Sequence, residues 1–292
     1  MKNILSKESE ITLKLLLKDK LALISLAIII FFIIVAVFAP YLAPYPEEGE
    51  GKPIPENRFL PPSLEHPLGT DYLGRDILSR IIYGSRISLS VGIFVVLCAI
   101  FIGTPIGLIA GYYGGKVDEL LMRTTDIFLS FPPLLFAIAL VASLGPSLFN
   151  AMLSLAITWW PWYTRLARAQ AVSLREQPFI LASKAMGVSN IKIVFKHVLP
   201  NSLTPIIVQG TMDMSSAILA EAGLSFIGLG AQAPSPEWGL MVSTGRIYLL
   251  NYWWFPIFPG LAIFLIALAF NLFGDCLRDI LDPKTRRLRG GI

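Results

Sequence analysis

Few residues in this chain are equipped for covalent or redox chemistry. The two histidines, His66 and His197, stand 131 positions apart, which excludes a paired-histidine metal site on one helix. The two cysteines, Cys98 and Cys276, form neither a CxxC pair nor a disulfide framework. No GxxxxGK[ST] loop is present to cradle nucleotide phosphates, and no nucleophile–base constellation stands out. Two carboxylates do stand out. Asp213 and Glu221 are the only charged residues in the stretch 200–230. An ionisable side chain at membrane depth is a functional candidate by default. Eight positions place them about 80° apart around a helix, so they need not share a face. Glu221 has two readings, a hydrogen bond to a neighbouring helix and a place in a pore lining. A third feature is the segment 165–200, where six Lys and Arg face the single acid Glu176.

These residues need a scaffold, and composition fixes its class. Of 292 residues, 54% are hydrophobic and only 15% charged, against about 25% charged in soluble domains. A water-soluble fold would have to display that apolar surplus as large exposed patches, and disordered chains lack it altogether. A spanning helix needs about 20 apolar residues. Residues 21–39 carry no charge, nor do 87–115, 127–164 and 247–274. Gly145-Pro146-Ser147 divides the longest of these stretches into a hairpin. The expected architecture is all-α and integral to the membrane, with six transmembrane helices at about 21–39, 87–111, 119–143, 148–165, 202–228 and 253–275. The first apolar run is too long for a signal-peptide core, so it is read as a span. With the N-terminus inside, 18 of the 24 Lys and Arg fall on inner segments. That bias predicts cytoplasmic termini, 1–20 and 277–292.

Two segments lie outside the spans. Eight of the 21 prolines fall within 40–67, which excludes regular helix or central strand from the first half of the extracytoplasmic loop 40–86. Its second half, 71–86, has the spacing of an amphipathic helix lying at the outer interface and leading into span two. His66, alone in this loop, reads as a solvated side chain. The inner segment 166–200 reads as two short helices. Pro178 opens the first and Gly187 stops it, Ser189 caps the second, and Leu199-Pro200 ends it. Neither is long enough to be stable alone. Phe179, Ala182, Ser183 and Met186 would share one face suited to a groove on another protein, or to lipid headgroups. Gly103, Gly107 and Gly111 suggest close helix packing. Arg123 has Glu119 and Asp126 at helical pairing distances. Trp159, Trp160, Trp162, Trp253 and Trp254 suit headgroup-level anchors.

The spacing of Ala182, Gly187, Leu199 and Pro200 resembles the cytoplasmic "EAA" loop of ABC importer permeases. Leu181, Ser183 and His197 depart from it. Leu68-Gly69-Thr70-Asp71, Gly74-Arg75-Asp76, Ser79-Arg80 and Tyr83-Gly84-Ser85-Arg86 look like the dipeptide/oligopeptide/nickel permease family. So do Ala110-Gly111-Tyr112-Tyr113-Gly114-Gly115, His197-x-Leu199-Pro200-Asn201, the Glu221–Gly230 block, Pro236-x-Trp238-Gly239 and the Asn271–Pro283 block. The resemblance spans roughly residues 20–285 and is closest to the C-type subunit.

The resemblance implies an ABC importer type-1 permease core, 87–276, formed by spans two to six behind an extra N-terminal span. It implies a subunit that couples to a separate ATPase through Phe179, Ala182, Ser183, Ala185, Met186, Gly187, Leu199 and Pro200. A second permease, two ABC ATPases and an extracytoplasmic binding protein would complete the importer in the cell membrane, and no nucleic acid is involved. No cofactor, metal or enzymatic activity is expected of this chain. Peptides are the commonest cargo in the family, with nickel and oligosaccharides also open. The competing reading is a self-sufficient ion-coupled secondary transporter using Asp213 and Glu221. It lacks an internal repeat and leaves the segment 165–200 unexplained.

Overall fold

The computed structural model describes residues 15–281. Helices account for all its regular structure, and an isolated bridge between Thr70 and Asp76 is the one strand-like feature among the described residues. Helix α1 (Lys20–Val37) is followed by two short helices, α2 (Ala39–Leu42) and α3 (Pro46–Glu50). Then come α4 (Ile77–Tyr113), α5 (Gly115–Leu129), α6 (Pro133–Leu144) and α7 (Leu148–Arg175). Short α8 (Pro178–Ala185) and α9 (Asn190–Ile193) lead into α10 (Leu199–Phe226), α11 (Trp238–Gly245) and α12 (Trp254–Leu281). Four continuous stretches are long and apolar enough to cross a bilayer: α1, α4, Asn190–Phe226 and α12. The α5–α6 pair would make a fifth.

The pair α5–α6 is not one straight rod over 119–143 as expected. It bends by 80° at Pro132-Pro133, whose missing N–H groups and rings break the helical ladder. Helix α7 falls outside the apolar candidates because the run Thr158–Thr164, with Trp159, Trp160, Pro161, Trp162 and Tyr163, is only weakly apolar and Arg165, Arg168 and Arg175 follow it.

The segment 71–86 leads into the second long helix as expected, but its helix starts only at Ile77. From Ile77 onward it is the first part of α4, a single 37-residue helix about 55 Å long, well beyond the 30 Å hydrocarbon core. Ser79, Arg80 and Ser85 on this extension are buried. Nor do the prolines of the preceding loop forbid helix. Each of α2, α3 and the turn Pro55–Asn57 carries proline at its first or second position, where the absent N–H has no partner to lose.

That loop packs as a polar cluster against the start of α4. Asp76 caps the helix through the Ser79 N–H at 2.7 Å and accepts from the Ser79 hydroxyl. His66 is buried, not solvated, with Nδ1 3.0 Å from Asp76 Oδ1. Asp71 accepts from Arg75 Nε at 2.7 Å, and Arg80 donates to the Ser235 carbonyl at 3.0 Å. Trp254 is buried and donates to the Thr70 carbonyl, so it fastens the loop and is no headgroup anchor. Trp160 is likewise buried.

The central packing is α4 on α7. A Cβ at Gly103, Gly107 or Gly111 would collide with the carbonyls of Trp160, Thr164 and Arg168 in turn. Each step of four on one helix matches a step of four on the other, so the helices run in parallel with backbones touching. Thr164 adds a hydrogen bond from its hydroxyl to the Gly103 carbonyl at 3.1 Å. Helix α1 buries one stripe, Ala22, Ser25, Ile29, Phe32 and Ala36, of which Ile29, Phe32 and Ala36 share a cluster with Trp238, Phe255 and Ile266.

Candidate functional site

Segment 176–200 hangs from the end of α7. Pro178 starts α8 at the N1 position. Gly187, at φ +76°, adopts the left-handed conformation that terminates it. Gly187 N–H bonds the Lys184 carbonyl at 2.9 Å and Val188 N–H the Ser183 carbonyl at 3.2 Å. The last carbonyls of the helix are thereby satisfied.

Eight residues cannot hold a helix in water unaided, so α8 must lean on the protein. Ile180 is fully buried, with Ile193, Val194 and Val198 in the same core. Ser183 also turns inward, its hydroxyl bonded to the Phe179 carbonyl at 2.8 Å. It therefore leaves the face that the spacing assigns to it. Phe179, Ala182, Ala185, Met186 and Gly187 remain outward, with Met186 75% exposed. Leu181, Ile191 and Phe195 extend this surface. Exposed apolar area of this extent beside Lys184, Lys192 and Lys196 suits a contact with another protein or with a membrane surface.

Two contacts tie this surface to the end of α4. Tyr112 donates its hydroxyl to Asn190 Oδ1 at 3.0 Å, and Lys184 Nζ lies 4.9 Å from the centre of the Tyr112 ring. Tyr112 lies inside a motif visible in the sequence, but no spacing rule links it to residues 72 and 78 positions away. Leu199-Pro200 does not end the second short helix. A π-turn, Val194–Val198, carries it into α10, so Asn190–Phe226 runs on as one stretch. The wider turn accommodates Pro200, which lacks an N–H for the ladder. Asn201 Nδ2 bonds the His197 carbonyl at 2.6 Å. Ser189 occupies the cap position without a side-chain cap bond. Leu199 and Pro200 thus belong to the root of α10, beyond the π-turn.

An ionic collar joins α5 to α7 beside this segment. Arg168 binds Asp118 through two bonds of 2.5 and 2.6 Å, and Arg165 binds Asp126 at 2.7 Å. Arg123 pairs with Glu119 at 2.7 Å. Asp126 therefore serves α7, not Arg123 as the helical spacing suggested. Arg175 reaches the Gly111 carbonyl at 3.2 Å.

The two carboxylates of α10 have different surroundings. Glu221 is buried, accepting from the Ser225 hydroxyl at 2.7 Å. Ser225 in turn accepts from Ala231 N–H at 2.8 Å, fixing the chain that leaves α10. Asp213 accepts from the Tyr163 hydroxyl of α7 at 2.6 Å and from Gln209 at 3.0 Å. It also lines a cavity of about 590 Å³ with Trp159, Trp162, Arg165, Leu166 and Gln209. An adjoining cavity of about 670 Å³ shares Leu166 and Gln209 and reaches Gln170 and Arg278. Among the described residues no group of His, Cys, Asp and Glu could hold a metal ion.

Comparison with known proteins shows the family of the chain and its likeness of fold. The family described as "Binding-protein-dependent transport system inner membrane component" matches residues 103–287. "N-terminal TM domain of oligopeptide transport permease C" matches residues 10–62. The dipeptide transport system permease protein DppC of Alkalihalophilus pseudofirmus is 52% identical over 273 residues, 94% of this chain and 89% of that one. The probable D,D-dipeptide transport system permease protein DdpC of Escherichia coli is 48% identical, covering 90% of this chain and 88% of its own. The di/tripeptide permease DppC of Pseudomonas aeruginosa is 42% identical, covering 92% and 89%. Among solved structures, the inward-facing MetNI methionine ABC transporter aligns with a TM-score of 0.58 at 17% identity. It covers 70% of this chain and 98% of its own, a likeness of fold.

Proposed function

The chain belongs to the inner membrane components of binding-protein-dependent transport systems, and from that premise we propose that it forms half of a peptide pore driven by ATPases on other chains. The permease role is that of the family. Peptide cargo is inferred from relatives named for dipeptide and di/tripeptide transport. The ion-coupled alternative loses its support, since a family member has no need of its own energy-coupling site.

In this reading the chain crosses the membrane six times. The polar helix α7 counts as a span because α4 and α10 shield it, and the bent α5–α6 pair as another. Both termini and α8 are cytoplasmic, which the Lys and Arg distribution supports. A second permease completes the pore, two ABC ATPases dock beneath, and a binding protein delivers cargo from the extracytoplasmic side.

The observation that carries the coupling role is the outward apolar face of α8, braced from behind. Phe179, Ala182, Ala185, Met186 and Gly187 form the contact, with Ser183 as a support that locks the helix backbone. When the ATPases close on ATP they carry α8 with them. Ile180 and the Tyr112–Lys184 contact pass that displacement to α4, and the π-turn passes it to α10 through Leu199 and Pro200. Because α4 touches α7 backbone to backbone, the three helices shift as a body and the pathway changes its opening.

A charge on the docking face tests this. Ala182 is exposed, so Ala182→Glu leaves the fold intact and places an unpaired carboxylate in the contact. In the reconstituted importer the expected result is loss of peptide uptake, with the permease still inserted and assembled with its permease partner. Wild-type uptake by Ala182→Glu would sink the assignment.

A further inference from the structure

The carboxylate of Asp213 is unusual in what it lacks. It lies 14 residues into the 28-residue helix α10, about 21 Å along its axis and hence deep in the bilayer. Its hydrogen-bond donors, Tyr163 and Gln209, are both neutral. Among the described residues no Lys or Arg lies within ion-pair distance of it, and Arg165, which lines the same cavity, is engaged by Asp126. An ionisable side chain at membrane depth is by default a candidate for a substrate or ion pathway. The cavity beside it, with its neighbour, forms a trough between α7, α10 and α12, mostly apolar but with Gln170, Gln209 and Arg278 on its border. Two indole side chains, Trp159 and Trp162, line the same cavity as the carboxylate.

We propose that Asp213, with Trp159 and Trp162, forms a station for a primary ammonium group of the cargo within the translocation pathway. A carboxylate held by two hydrogen bonds keeps lone pairs facing the cavity. Indole faces add attraction for a cation once water is displaced. A peptide carries such an ammonium at its N-terminus, so the inference deepens the peptide reading and rests on it for the identity of the cargo. It assigns this chain a part in selecting cargo, beyond lining a passive pore. The competing role is structural, an acceptor that joins α7 to α10 through Tyr163. The two roles separate chemically, because asparagine keeps an acceptor oxygen and glutamate keeps the charge.

The test uses the complete importer reconstituted in proteoliposomes, with two readouts. The first is dipeptide uptake beside binding-protein-stimulated ATP hydrolysis. Asp213→Asn should lower uptake at least tenfold while hydrolysis persists, and Asp213→Glu should restore most of it. The second is independent of cargo. With Cys98 and Cys276 replaced by alanine, Trp162→Cys reports the potential in the cavity. Its reaction with a trimethylammonium methanethiosulfonate should outpace that with the sulfonate analogue, and Asp213→Asn should reduce that preference several-fold. An unchanged preference, or wild-type uptake by Asp213→Asn, overturns the station. If the unaltered importer moves no dipeptide while the preference still depends on Asp213, the cation station is supported and the peptide reading fails.

Discussion

Gly187 offers a clean perturbation, because space and backbone can be separated there. Its φ is +76°, and a Cβ would meet nothing within 4 Å. A substitution therefore introduces no clash, and its whole effect is the cost of holding an L-residue in the left-handed region, about 1–2 kcal/mol. Asparagine tolerates that region better than alanine, and β-branched valine worse. Proline, locked near φ −65°, cannot adopt it at all. If the cost is relieved by unwinding the last turn of α8, the fraction of permease that presents Phe179, Ala182 and Met186 in docking geometry falls. At 1.4 kcal/mol per tenfold, 1–2 kcal/mol corresponds to about 5- to 30-fold, which is the upper bound on the rise in the apparent dissociation constant. The assay is titration of the purified ATPase subunits onto the permease pair in nanodiscs. The expected order of affinity is glycine, asparagine, alanine, valine, proline, with alanine weaker than glycine by more than twofold and by at most about 30-fold. Alanine and valine both within twofold of glycine would refute the link between the helix stop and docking. So would asparagine binding more weakly than alanine.

Two further outcomes follow from other parts of the fold. Gly107→Leu must push α4 away from the Thr164 carbonyl, Ala167 and Arg168. Overpacking of this kind costs about 1–3 kcal/mol, so the purified permease pair should unfold several degrees lower, and an unchanged midpoint would contradict the backbone contact. Glu48 accepts from the Asp76 N–H at 2.7 Å, and burial pushes its carboxyl above the ordinary carboxylate range. The folded state then holds the proton longer than the unfolded state, so its contribution to stability is present at low pH and is lost as pH rises through the raised value. Thermal unfolding of the permease pair should show that loss, Glu48→Gln should flatten it, and an identical pH profile in the variant would show that Glu48 is not responsible.

Much of the scaffold was legible because apolar runs and proline or glycine signals act locally. The first long apolar helix, the start of α8 at Pro178 and its stop at Gly187 follow from composition and backbone preference within a few residues. The glycine triplet announced a close contact, although only the fold could say that α7 receives it. The errors share a cause. Ser183 has helical spacing for the outer face, but Ile180 sets which side of α8 is buried, and the turn carries Ser183 in with it. Asp126 lies at a proper distance from Arg123, yet the bend after α5 leaves it beside Arg165 on α7. His66 in a proline-rich loop reads as solvated until the loop folds onto Asp76. Leu199-Pro200 reads as a stop because a proline costs an α-helix one bond, whereas a π-turn absorbs the same defect.

The sequence by itself determined that this is a multi-pass helical membrane protein and which family it resembles, and it singled out the segment 166–200 as the candidate for coupling. Those conclusions rest on composition, local backbone chemistry and ordered motifs, all readable along one dimension. Tertiary structure alone decided which residues meet across the chain: Tyr112 with Lys184 and Asn190, Asp118 with Arg168, Arg80 with Ser235, Tyr163 with Asp213. Each of these pairs is fixed by the packing of helices far apart in the chain. Periodicity within one helix states what a face contains, and only its neighbours determine what that face touches.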